Sequence, residues 1–208
     1  MLESKNCNET SDGLVPEFWF CDKSLDTTAV PQISARALTW CGLQYSQVRQ
    51  LPGPTLWIDE RQCLSVSSPI LPLDDLSLRE HLLLFCWDQH LVAVLKHGQW
   101  RPELVRWARL RGATLILAPA YTDTQYGPLW RDAQQNQMFA LSFDPPGLIL
   151  PCEASPDGSG RQNVVLHAPG LWHVQWDWKL LDQAAQSFSI LNFLRPDIYR
   201  ENPWWQIP

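Results

Sequence analysis

The chain has 208 residues and a formal net charge of −6, and 45% of its residues are hydrophobic. This acidic balance, without a basic cluster, argues against nucleic acid or an anionic membrane as a partner. No apolar run has the length that a membrane-spanning helix needs, and the polar, acidic start is unlike a secretory signal. Six scattered cysteines without metal-ligand spacing indicate reduced thiols. We therefore expect a cytoplasmic protein with no metal and no cofactor.

The length fits one large domain or a domain with an appendage. Residues 1–35 mix polar residues with isolated aromatic ones and lack a sustained period, which predicts an irregular or partly disordered N-terminal arm. The domain itself is expected over residues 36–208. Its first predicted element is a hairpin made of residues 55–60 and 63–67. A capping-box sequence that begins at Ser77 then predicts a short helical turn.

Residues 90–119 are the most informative stretch, since they read as one strand–turn–helix–strand unit. Residues 91–95 are nearly all apolar, as in a strand that is buried on both faces. Pro102 suits the first turn of a helix, Gly112 suits its end, and a second buried strand follows. Lys96 thus lies just beyond the carboxyl end of a central strand, where open α/β sheets place their chemistry.

Strands and helices continue to alternate downstream, which is typical of an α/β layered fold. The side chains of Trp172, Trp176 and Trp178 share one face of a period-two strand. We expect them to pack in the sheet interior or against another subunit. The remaining predicted elements are a helix over residues 130–136, a strand over 139–143, a turn at 155–158 and a helix over 179–193.

Five short stretches carry a resemblance to a known family: WRPE at 100–103, RGA at 111–113, WRDAQQN at 130–136, SPDG at 155–158 and LRPDIY at 194–199. In this order they resemble the motifs of the nitrilase, or carbon–nitrogen hydrolase, superfamily. The resemblance covers roughly residues 85–200. It implies a nitrilase-like α-β-β-α sandwich with its N-terminal edge shortened or altered, and subunits that pair through helices.

The resemblance also implies a reaction, amide or nitrile hydrolysis, which needs a cysteine nucleophile, a glutamate base and a lysine that stabilises the oxyanion. Counting back from Pro102 places the nucleophile's position at Lys96, where there is no cysteine. The lysine is expected near residues 65–72, and that segment, SVSSPILP, contains none. Glu17 is the candidate for the glutamate, and its surroundings match the family poorly. The sequence therefore predicts that all three roles are unfilled.

Lys96 has two interpretations. A depressed pKa would leave a neutral amine able to form a Schiff base. The interpretation we favour is a lysine that reaches solvent or pairs with Glu103 or Asp88. Cys86 precedes the buried strand and is interpreted as a core thiol, not a relocated nucleophile. His97 is a candidate acid or base in a remnant pocket.

We therefore expect no catalytic residue. The leading hypothesis is a catalytically degenerate carbon–nitrogen hydrolase-like protein that acts as a binding, regulatory or structural subunit. Its expected partners are further copies of the chain or another protein, with a small-molecule ligand as a further candidate. The alternative is a hydrolase of small amides or nitriles with a rearranged site, in which Lys96 and His97 act with Glu103 or Glu17. The remnant-pocket candidates are Lys96, His97, Glu103, Tyr121 and Trp130.

Overall fold

The computed structural model describes residues 17–21, 33, 36–41, 53–58, 64–73, 76–96, 101–119, 126–143, 152–157, 164–168 and 171–187. Its strands are β1 (Glu17–Cys21), β2 (Leu38–Cys41), β3 (Thr55–Ile58), β4 (Leu64–Val66), β5 (Leu82–Trp87), β6 (His90–Leu95), β7 (Ala113–Pro119), β8 (Phe139–Phe143), β9 (Cys152–Ala154), β10 (Val164–Ala168) and β11 (Leu171–Gln175). Its helices are α1 (Leu76–His81), α2 (Pro102–Leu110), α3 (Tyr126–Asn136) and α4 (Lys179–Ser187).

The strands form two mixed sheets. Sheet A has the order β10-β11-β1-β2-β3-β4, and sheet B has the order β5-β6-β7-β8-β9. In each sheet three parallel strands lie in the middle, β1 to β3 in sheet A and β6 to β8 in sheet B, with antiparallel strands on both sides. Parallel strands are usually covered on both faces. The two sheets therefore need a common core and outer layers.

The common core lies between the sheets. Alternate residues of each strand point into it, as the period of two requires. One cluster joins Leu83 and Phe85 of sheet B to Phe18, Trp40 and Leu56 of sheet A, and all five are nearly or fully buried. The residues between them on each strand consequently face outwards.

Helices α2 and α3 cover the outer face of sheet B. The buried side of α2 is formed by the residues that the sequence predicts: Leu104, Val105, Trp107 and Ala108. They pack with Ala93, Ile116 and Ala140 of the sheet. The helix begins at Pro102 and is followed by Gly112, whose φ of 96° favours glycine. The predicted unit over residues 90–119 is thus confirmed in each of its elements.

Contacts between the two sheets fix their relative direction. The Trp87 indole N–H, at the end of β5, donates to the carbonyl oxygen of Arg36, just before β2, at 2.7 Å. Asp88 forms an ion pair with Arg36 at 2.8 Å. The rings of Phe18 and Trp87 both pack against Trp176. The starts of β1, β2 and β6 therefore share one edge of the sandwich, here called the amino edge. The opposite side, where these strands end, is the carboxyl edge.

The N-terminal segment differs from the sequence prediction. Residues 17–21 lie within the expected irregular arm of residues 1–35, but they form β1, which pairs with β11 on one side and β2 on the other. The physical reason is burial: Phe18 is 0% exposed and fills the core between the sheets. Local sequence lacks a period here because five residues are too few to show one. The domain boundary at residue 36 stays a prediction.

Other predicted elements agree with the structure, with two exceptions. The hairpin is β3 paired with β4, and Trp176 and Trp178 pack in or against the core. Helix α1 begins at Leu76, so Ser77 lies inside it instead of capping it. Cys86 is exposed, not a core thiol, because it lies on the outer face of edge strand β5. In the described ranges, no helix is long and apolar enough to cross a membrane.

Candidate functional site

Lys96 lies where the sequence places it, directly after the end of β6 on the carboxyl edge. Strand β6 is central to sheet B and pairs with β5 and β7. Four of its six residues, Val92 to Leu95, are fully buried, so the strand has little freedom to move. The half-buried Lys96 side chain is therefore presented at this edge by a rigid element.

The Lys96 ammonium donates a hydrogen bond to the backbone carbonyl oxygen of Arg79 at 2.6 Å. Arg79 belongs to the last turn of α1, which precedes β5, the antiparallel neighbour of β6. Carbonyl groups in the last turn of a helix have no partner within the helix, and a cation there also meets the negative end of its dipole. Lys96 thus binds a helix end. The predicted pairing with Asp88 is wrong, since Asp88 binds Arg36 at the amino edge.

Glu103 is exposed in the first turn of α2. A carboxylate in this position interacts favourably with the positive end of the helix dipole. Among the described residues Glu103 forms no ion pair with Lys96, whose ammonium donates to the backbone carbonyl oxygen of Arg79. Glu103 therefore has a structural explanation of its own.

Glu17 lies at the start of β1 and therefore on the amino edge. One of its carboxylate oxygens accepts a hydrogen bond from the Trp19 indole N–H at 3.2 Å and lies 3.5 Å from His173 Nε2. The rings of Trp19 and His173 stack with 4.5 Å between their centroids. Because Phe18 faces the core, this group lies on the outer face of sheet A. The alternation of side chains along β11 predicts that His173 and Val174 lie on opposite faces of the sheet. The sequence around His173 does not predict which strand pairs with β11.

The structure does not bring Glu17 and Lys96 together. At about 3.3 Å per residue, β6 separates the amino edge from the carboxyl edge by roughly 17 Å. Glu17 also faces away from the space between the sheets. A general base must lie within hydrogen-bond reach of the reacting group. A rearranged site that uses both residues is therefore excluded by this geometry.

The other remnant-pocket candidates lie at or beyond the limits of the described residues. His97 and Tyr121 are outside them. Trp130 belongs to α3, and its side chain is outside them as well. The convergence of these three with Lys96 stays a prediction. Within the described residues, no group of three or more histidine, cysteine, aspartate or glutamate side chains has metal-binding geometry.

His90 is a buried titratable residue that the sequence does not single out. Its ring stacks on Trp178, 3.6 Å between centroids, and its Nδ1 lies 3.2 Å from the Thr114 hydroxyl. Desolvation lowers the pKa of His90 to about 4, although Asp88 opposes this shift. His90 is at the amino edge, the first residue of β6, and is therefore remote from Lys96.

Comparison with known proteins gives a likeness of structure alone. No protein-family model matches the sequence, and a search of curated proteins finds no match. An amidase of the nitrilase superfamily from Nesterenkonia AN1 superposes with a TM-score of 0.51 at 18% identity, over 91% of this chain and 99% of the amidase. The carbon–nitrogen hydrolase from Helicobacter pylori G27 gives 0.56 at 9% identity, over 89% and 97%.

The NitFhit protein of C. elegans gives a TM-score of 0.51 at 11% identity, over 89% of this chain and 67% of that protein. At such identities these likenesses establish the fold. The chain has the nitrilase-like α-β-β-α fold, as its sequence motifs predict. Strands β1 to β3 lie in the middle of sheet A. An N-terminal edge that is shortened or altered, as the resemblance implies, stays a prediction.

Proposed function

We propose that this protein is a nitrilase-like chain that does not hydrolyse carbon–nitrogen bonds and acts as a binding, regulatory or structural subunit in the cytoplasm. One observation carries the proposal: the ammonium of Lys96, the residue that the sequence resemblance puts at the nucleophile's position, binds the end of a helix. The protein would thus have the nitrilase-like fold without the hydrolytic reaction. Fold alone does not determine function, which depends on the groups at the site.

The nucleophile is the first point of support. In one structure of the Nesterenkonia amidase, the acetamide moiety of fluoroacetamide is covalently added to the active-site cysteine. An ammonium group has three donors and no lone pair with which to attack a carbon atom. Lys96 donates one of these hydrogen bonds to the Arg79 carbonyl oxygen. The same side chain that would have to react is thus used to join β6 to α1.

The companion groups are the second point of support. Hydrolysis by this fold needs a carboxylate base and an oxyanion stabiliser beside the nucleophile. Glu17 is at the opposite edge, with Trp19 and His173. Residues 65–72, where the resemblance expects a lysine, contain none. Acquiring activity would therefore require three changes and not one.

Labelling with fluoroacetamide tests the lost nucleophile. The purified chain is incubated with the reagent, digested and mapped by mass spectrometry. We expect no adduct on Lys96 and labelling of Cys86 only at the rate of an ordinary exposed thiol. Cys86→Ser is the control, because it removes that exposed thiol. A rapid, stoichiometric adduct that persists in Cys86→Ser would contradict the proposal and identify the nucleophile.

The subunit role has its own test. Sedimentation of the purified chain, and of a tagged chain recovered from its native source, measures whether it assembles. We expect a mass of at least two chains of 23.9 kDa each, or a complex with a second protein. A lone monomer in both preparations would contradict the subunit role.

A further inference from the structure

The C-terminal half of α2 carries a basic surface. Residues 101–112 contain four arginines and one glutamate, a local charge of +3 in a chain whose net charge is −6. Residues three positions apart are neighbours on a helix, so Arg106 lies beside Arg109 although two residues separate them in the sequence. Together with Arg111, directly after the helix, they form what is here called the arginine patch. The expectation of a chain without a basic cluster is therefore wrong at this helix.

Two side chains of the arginine patch are held in place by their surroundings. The Cζ atom of the exposed Arg111 lies over the Trp107 ring, 4.9 Å from its centroid. Nη1 of the half-buried Arg109 donates to the Ala113 carbonyl oxygen at 3.1 Å. Burial also lowers the pKa of Arg109. A side chain that is already fixed loses less conformational entropy when it binds a partner. These contacts therefore prepare the patch for binding.

The arginine patch has charge that its own surroundings do not neutralise. Among the side chains that the structure describes, none of its three guanidinium groups forms an ion pair with a carboxylate, Glu103 included. In the same part of the chain, the buried Arg109 Nε–H has no hydrogen-bond partner. Like charges three positions apart on a helix repel each other, and the negative end of the helix dipole offsets this only in part. An anion from another molecule would relieve the repulsion.

We propose that the arginine patch docks an acidic segment of a partner protein, whose aspartate or glutamate side chains pair with these guanidinium groups. This surface would serve the subunit role proposed above, on which the inference rests. A guanidinium binds a carboxylate through two parallel hydrogen bonds in its own plane. The contact of Arg111 with Trp107 uses the face of the guanidinium and leaves the donors at its edge available.

Charge argues against two other occupants. A nucleic acid is an extended polyanion, and beyond this helix it would meet a chain of net charge −6. A second copy that met the patch across a two-fold axis would set identical guanidinium groups against each other. A short acidic segment meets neither obstacle, because charges farther away than about 8 Å are largely screened at physiological salt.

Binding of a labelled peptide tests the proposal. Fluorescein-labelled hexaglutamate is titrated with the full chain, and its fluorescence anisotropy is measured at about 20 mM and about 300 mM salt. We expect saturable binding at the lower salt that weakens by about tenfold or more at the higher, as attraction between exposed charges requires.

Variants with one charge removed locate the binding surface. Arg106→Gln and Arg111→Gln should each weaken the binding by about fivefold or more, because each loses a charge-assisted hydrogen bond. Arg111→Lys keeps the charge and loses the planar fork, so it should also bind more weakly than the wild-type chain. Lys179→Gln removes an exposed charge on α4 and is the matched control, with a change of less than about twofold expected.

Several results would overturn the proposal. They are no binding of hexaglutamate at the lower salt, and equal losses in Arg111→Gln and Lys179→Gln. Tighter binding of a labelled hexanucleotide, or a dimer that Arg111→Gln dissociates, would assign the patch to another occupant and overturn it as well. Hydrolysis of a small amide would contradict the proposed function and leave the peptide binding in place, so the two can fail separately.

Discussion

Lys96 joins the end of β6 to the last turn of α1 through one hydrogen bond to the Arg79 carbonyl oxygen. At the scale of single residues, this contact gives a structural reason for a lysine at the position that the sequence resemblance assigns to the nucleophile. Helix-end carbonyls are commonly satisfied by lysine side chains. The side chain therefore has a structural task that a cysteine is too short to perform.

A substitution measures that task. Lys96→Met keeps the aliphatic stem and removes the hydrogen bond, so we expect the free energy of unfolding to fall by about 1 kcal/mol. Lys179→Met, at the exposed start of α4, is the matched control and should change stability by less than about 0.5 kcal/mol. Urea denaturation of the two variants provides the comparison. If Lys96→Met and Lys179→Met were equally stable, the Lys96 hydrogen bond would contribute nothing to the free energy of unfolding.

His90 makes stability depend on pH. Its pKa is lowered to about 4 by burial, whereas an unfolded histidine titrates near pH 6.5. Between these values the unfolded chain binds a proton that the folded chain does not, so acid favours unfolding. We expect a loss on the order of 3 kcal/mol as the pH falls from 6.5 to 4, and none from this group above pH 6.5.

The His90→Phe variant isolates this contribution, because phenylalanine keeps a ring against Trp178 and cannot titrate. Its stability should vary less between pH 6.5 and 4 than that of the wild-type chain. His81→Gln, on α1, controls for the loss of a histidine elsewhere. Parallel pH profiles for the wild-type chain and His90→Phe would rule out this origin of the acid sensitivity.

At the scale of elements, α2 and α3 end differently. Gly112 follows α2 with a φ of 96°, and Gln137 follows α3 with a φ of 50°. After α3, the amides of Gln137 and Met138 bond to the carbonyls of Gln134 and Ala133. This is the Schellman arrangement, which usually uses glycine. The buried Gln137 side chain donates to the Ala184 carbonyl at 2.7 Å and so ties α3 to α4.

Two substitutions of Gln137 separate the backbone cost from the side-chain bond. Alanine keeps the strained backbone and loses the bond, so we expect Gln137→Ala to destabilise the chain by about 1 to 2 kcal/mol. Glycine loses the same bond and relieves the strain, so Gln137→Gly should be more stable than Gln137→Ala by about 1 kcal/mol. Midpoints of urea unfolding measure both. An alanine variant as stable as the glycine variant would argue against strain at this position.

The same two helix ends show what the sequence can predict. Gly112 signals the end of α2 because glycine is the residue suited to positive φ, and that prediction is confirmed. Gln137 gives no such signal, since its amide is explained only by a helix 47 positions away. Similarly, the sequence does not predict β1, because five residues are too few to show a period. Residues 17–21 form a strand because they pair with β2 and β11. Local chemistry is visible in sequence, but long-range pairing is not.

At the scale of the whole molecule, five ordered motifs predict the nitrilase-like fold, and the structural likenesses confirm it. The site is less predictable. Position fixes Lys96 at a strand end, but the Arg79 carbonyl as its partner follows only from the folded hairpin of β5 and β6. The separation of Glu17 from Lys96 likewise follows from how the two sheets face each other. A site made by several strands is a property of the fold and not of any one segment.

The central claim, a retained fold without its reaction, is tested most directly by turnover. The purified chain and Lys96→Ala are incubated with a panel of small amides and nitriles, and released ammonia is measured against protein concentration. We predict that neither protein releases ammonia faster than buffer does. Ammonia release that rises with wild-type concentration and disappears in Lys96→Ala would contradict the claim and make Lys96 a catalytic residue.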